Sequence, residues 1–245
     1  MLHVEIGGIC SAARWVSDDL GTWVCSNFPA VVESALQELD PSVRVNRDTG
    51  NVDFSAGVSI QGYERGHELI DRLVGSGHTI VISRFGSSEG GQMNPSNWDR
   101  SYQPLQGSSS EVRWNPDNTD HRIPVISGGT EVIPTYLILG HELVHADQAR
   151  LGVLSPQDRR DSLIERSCEW AVLAPPPGSP SNAQLENINT QMQRRCGYAF
   201  RREVNGQQTW FYHLRRSETS SWQEIRIISE NDLRQERGLP MRSSP

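Results

Sequence analysis

Ten residues, "LGHELVHADQ" at positions 139–148, constrain this chain more than any other stretch. His141 and His145 stand four apart. On an α-helix they therefore project ~40° apart, one turn above the other. Two neutral imidazoles at that spacing can hold one Zn²⁺ at ~2.0–2.1 Å. Glu142 projects from an adjacent face, where it can take a proton from water that the metal activates. A solvated helix carrying two histidines by chance would show charge at positions 138–140 and 143–144, and those five residues are Ile, Leu, Gly, Leu and Val. A glutamate in so apolar a helix is costly to desolvate without a metal or hydrogen-bond partners.

Composition narrows the setting. The 245 residues suffice for one good core, or for one core with a small module. A net charge of −7 argues against a nucleic-acid-binding surface. No apolar run approaches the ~20 residues of a membrane span. The N-terminal stretch carries acids where a cleavable export signal needs a basic and then an unbroken apolar segment, so no such signal is expected. Cys10, Cys25, Cys168 and Cys196 are widely spaced, as reduced core thiols are. All 23 basic residues are arginine. A GC-rich genome explains that, and the absence of lysine also leaves no side-chain amine for ubiquitin attachment.

Periodicity places helices on "FPAVVESALQELDP", "YERGHELIDRLVGSG" and residues 134–151, with Gly152 as the stop. Further helices are expected on "SPQDRRDSLIERSCEWAVL", "QLENINTQMQRRC" and "SENDLRQERG", the last capped by Ser229. "HTIVISRFG" reads as a strand. Within residues 86–129, crowded with Gly, Ser, Asn, Asp and Pro, only "SEVRWNP" reads as extended. "APPPGSPSN" has linker composition, and residues 198–228 read as strands around an Asn205-Gly206 hairpin turn.

Three separated motifs, "GSSSEVRWNP", "IPTYLILGHELVHADQARLG" and "ISENDLRQERGLPMR", together resemble the NleD-like effector zinc metalloproteases, with relatives among polymorphic toxins. The resemblance spans about residues 68–173 and 225–242. It implies an α+β, zincin-like fold with the HExxH helix beside a small sheet, plus a small β-rich insertion. It divides the chain into an N-terminal region (1–55), a protease core (56–174 and 225–245) and an inserted linker and β module (175–224). It implies a zinc endopeptidase with one Zn²⁺ per chain, delivered into the host-cell cytoplasm to cut a host protein, as some members cut the activation loop of mitogen-activated protein kinases. Pro245 stands where the family carries a tyrosine, which leaves Arg242 or Tyr136 to stabilise the oxyanion.

A catalytic zinc needs a third protein ligand. Glu169, 24 residues beyond His145, fits best by spacing and by the family's acidic position. Glu165 and Glu230 are the alternatives, and Glu165 would otherwise hydrogen-bond a ligand histidine or pair with an arginine.

The insertion has a separate echo. "NGQQTWFYHLRRSETSSWQEI" follows the order of a WW domain, in which Tyr212, His213 and Trp222 would form an aromatic groove for a proline-rich partner. Tyr198 is nearest to the missing first tryptophan. The competing function is a non-enzymatic binding protein that recruits such partners and is merely stabilised by zinc.

Overall fold

The computed structural model describes residues 1–5, 18–54, 60–86, 90–154, 197–216 and 219–243. In chain order its elements are β1 (Leu2–Val4), α1 (Asp18–Gln37), β2 (Arg44–Val45), β3 (Val52–Asp53), α2 (Glu64–Val74), β4 (Ile80–Arg84), β5 (Gly91–Pro95) and α3 (Trp98–Ser101). There follow β6 (Ser110–Trp114), β7 (Arg122–Pro124), β8 (Thr130–Val132), α4 (Thr135–Leu151), β9 (Gly197–Val204), β10 (Gln207–Leu214), β11 (Gln223–Arg226) and α5 (Glu230–Glu236). The class is α+β.

A four-stranded sheet in the order β1-β4-β6-β5 organises the core. β4 pairs in parallel with β1 and with β6, whereas β5 runs antiparallel along the edge of β6. Alternation along β6 buries Ser110, Val112 and Trp114. The motif helix α4 packs against β5 and β6. Trp114 fixes its start, donating its indole N–H to the Thr135 carbonyl at 2.9 Å. Gly152 fixes its end, with φ 72° and an amide bonded to the carbonyls of Gln148 and Ala149. Between these points α4 is buried on nearly every side, among Leu36, Leu39, Leu69, Leu73 and Leu233 of its neighbours. The uncharged run around the motif is thus accounted for by core packing.

The Gly- and Ser-rich stretch holds more regular structure than its composition indicates. Besides β6 it contributes β5, α3 and β7. Backbone pairing along one side sustains β5 despite a sequence, "GQMNP", of low strand propensity. The N-terminal residues are not separate from the core either, because Leu2, His3 and Val4 pair with Ile80, Val81 and Ile82.

Near the C-terminus, β11-β10-β9 form an antiparallel meander, with Asn205 (φ 52°) and Gly206 (φ 80°) at the expected turn. Trp210, Tyr212 and Leu214 project to one face, which packs on Leu151 and Ile227. The sheet is therefore seated on the end of the motif helix. The expected helices over residues 155–173 and 184–196, with Glu165 and Glu169, lie outside the described residues.

Candidate active site

His141, Glu142 and His145 occupy successive turns of one buried helix, and the sheet edge and α5 close around them. The two imidazoles meet edge to face, with their Nε2 atoms 3.2 Å apart. Nitrogens ligating one zinc ion at ~2.0–2.1 Å each, at a roughly tetrahedral angle, stand ~3.3 Å apart. The pair therefore fits a single small cation. The other nitrogen of His141 settles its orientation. Nδ1 lies 2.8 Å from Glu230 Oε2, so a proton held there for the carboxylate turns the Nε2 lone pair toward His145.

Glu230 is fully buried, at the first turn of α5. Burial alone would raise its pKa. The hydrogen bond with His141 and the charges of His141, Arg242 and Arg234 outweigh burial and take it down to about 2. Arg234 Nε donates to Oε1 at 2.6 Å, and Arg242 Nη1 donates to Oε2 at 3.1 Å. Both oxygens are thus engaged behind His141. That overturns Glu230 as a candidate third ligand: it orients the histidine instead, the part the sequence had offered to Glu165. α5 is held for this task by a reciprocal cap in which the Ser229 hydroxyl accepts from the Asp232 amide while Asp232 accepts from the Ser229 amide.

The chain after α5 returns to the site. Asn231 grips Arg242 twice, accepting from its amide at 2.8 Å and donating to its carbonyl at 3.2 Å. The same tail runs beside β7, with the Ile126 amide on the Met241 carbonyl and the Ser243 amide on the Pro124 carbonyl. Arg242 is thereby delivered to a cleft of about 280 Å³, which it lines with His141, Glu142, His121, Ile133 and Ile138. Gly90 and Gly91 form the wall against the helix. A Cβ on Gly91 would lie 2.8 Å from Glu142 Cγ, so the strand approaches the carboxylate only because no side chain intervenes.

Tyr136 is not part of this cleft. It stands ~200° around the helix from Ile138. It is partly buried, and burial first and the charge of Glu38 second raise its pKa. Tyr212 also differs from expectation. Its ring faces the protein interior and its hydroxyl accepts from Gln148 Nε2 at 3.3 Å, while neighbouring His213 points to the opposite face and lies against Trp222, with ring centroids 4.5 Å apart. A strand's alternation forbids adjacent residues from sharing one groove. Asp147, adjacent in sequence to the motif, is paired with Arg150 and Arg72. Among the described residues no group of three histidine, cysteine or carboxylate side chains converges to hold a metal. His121 also lines the cleft, with no sequence signal to mark it. It lies in a loop of Asn, Asp and Thr, without periodicity.

Residues 56–169 match the family model of the M91 peptidases, whose description is effector protein. These residues belong to the M91 family. The matched segment includes the sheet edge, both histidines and Glu142, and it supports a protease-type bacterial effector. No curated protein matches the chain. No helix among the described residues is long and apolar enough to cross a membrane.

Proposed function

We propose that this protein is a zinc-dependent endopeptidase of the zincin type, acting on a host protein inside the host cell. The observation that carries the reading is the 3.2 Å approach of the two Nε2 atoms beside Glu142 in one cleft. His141 and His145 would hold one zinc ion, with Glu169 as the third ligand and Glu165 as its alternative. Zinc, when bound, supplies a Lewis acid for the scissile carbonyl and lowers the pKa of water. Glu142 takes the proton of the attacking water and returns it to the leaving amine nitrogen. Glu230 keeps His141 in the required tautomer and orientation. Arg242 brings a positive charge to the cleft, where the carbonyl oxygen becomes anionic. The family resemblance extends the reading to a kinase activation loop as substrate.

Metal analysis of the purified chain should find about one zinc, lost in the His141→Ala/His145→Ala double variant. Glu142→Ala should retain zinc and fold while losing orders of magnitude in cleavage of host-lysate proteins. Full activity in metal-free, folded protein sinks the proposal.

Exposed Trp222, lying against half-buried His213 on a three-stranded meander, favours a second, compatible reading, a docking face for proline-rich segments. If docking alone were the function, Glu142→Ala would keep its full cellular effect.

A further inference from the structure

Among the described titratable residues that line the cleft, His121 is the one with no part in the proposed catalysis. His121 precedes β7, and its backbone is set by the base of the β7–β8 hairpin, where the amide of buried Ile133 donates to the His121 carbonyl at 2.9 Å. Ile133 itself lines the cleft beside His121. His121 is exposed and lines the cleft together with His141, Glu142 and Arg242. Within that lining, Glu142 packs against Gly91 of the edge strand.

We propose that His121 is a catalytic residue that donates a hydrogen bond to the oxyanion of the tetrahedral intermediate, next to Arg242. The inference rests on the peptidase reading. The carbonyl oxygen that gains charge must lie away from the Glu142 carboxylate, which repels it, and near the positive side of the site. Among the described residues, Arg234 and Arg242 share the one carboxylate of Glu230, which leaves this group of three net cationic. Arg242 is only partly available to an oxyanion, since its Nη1 is held by Glu230 and its backbone by Asn231. A second donor completes the corner, and among the described side chains that line the cleft His121 is the one left to supply it. An imidazole carries an N–H whether neutral or protonated, so His121 has a donor to give. Donors set in advance where charge develops stabilise the transition state more than the ground state.

The test uses the zinc-loaded full chain, a fluorogenic peptide selected from a random library by wild-type cleavage, and the phosphinic pseudopeptide of the same sequence as tetrahedral mimic. His121→Ala should keep zinc content and melting temperature. Its kcat should fall ~100-fold with KM changed by less than about threefold, a loss typical of one oxyanion donor. Affinity for the phosphinic peptide should fall by a comparable factor, and His121→Gln, which retains a neutral N–H donor, should recover part of both losses. Wild-type kcat and phosphinic affinity in His121→Ala, or a change confined to KM, overturns the inference while an inactive Glu142→Ala leaves the peptidase reading standing. An active Glu142→Ala, or a library from which wild type cuts nothing, removes the peptidase reading and the inference with it.

Discussion

Glu230 Oε2 accepts from His141 Nδ1 at 2.8 Å, joining α5 to the motif helix across 89 residues of sequence. This contact makes the final helix part of the site. Removing it should act on metal and fold together. Glu230→Gln keeps the shape but not the charge, and loss of a histidine's carboxylate partner typically costs ~10–100-fold in metal affinity. The same change leaves Arg234 and Arg242 without their shared buried counter-charge, a loss of ~3–5 kcal/mol when one member of a buried pair is deleted. Zinc competition titration and denaturant unfolding read the two effects separately. Unchanged values in both would contradict the arrangement.

Acid should dissect the same carboxylate. The Glu230 pKa is depressed from the usual 4.5 to about 2, so its contribution to stability is complete above 4.5. That contribution is lost as pH falls from 4.5 toward 2. Wild type should therefore lose more stability than Glu230→Gln over that interval, as followed by thermal melts at stepped pH. Parallel curves would show that another group governs acid unfolding.

The edge strand offers a more local test. Gly91→Ala introduces a Cβ 2.8 Å from Glu142 Cγ and 3.2 Å from its Oε1. The flexible carboxylate is the atom group able to yield, so the fold should survive while the base is displaced. Activity should fall ~10–100-fold, as misplacement of a reacting group by about 1 Å does. Gly77→Ala, whose Cβ would meet nothing within 4 Å, is the matched control.

Gly152→Ala should instead damage the fold. It combines a φ of 72° with a Cβ that would fall 1.8 Å from the Gln103 carbonyl oxygen. The left-handed penalty alone is ~1–2 kcal/mol, and the backbone clash adds to it. A melting-temperature drop of several degrees is expected. A melt indistinguishable from wild type would mean that the helix end can shift away from Gln103.

Trp222→Ala and Tyr212→Phe should separate the two faces of the meander. Trp222 is 41% exposed, so its loss should barely move the melt while abolishing any proline-rich peptide binding. Tyr212→Phe should cost ~1 kcal/mol through the bond from Gln148 and leave binding alone. Peptide titration by fluorescence decides both.

What the sequence determined by itself was local. Four-residue spacing put His141 and His145 on one side of a helix, the uncharged residues around them foretold its burial, and Ser229, Gly152 and Asn205-Gly206 marked a cap, a stop and a turn because each acts through its own neighbours. Tertiary structure decided what depends on partners distant in the chain. Strand β5 exists through pairing with β6, so its own composition could not reveal it. Residue type alone suggests roles for Tyr136 and Tyr212, but helix rotation and strand alternation turn both away from the surfaces those roles need. Glu230 was one acidic residue among three candidates until packing placed it behind His141. His121 carried no pattern at all, and only the hairpin that anchors its backbone brings it to the cleft.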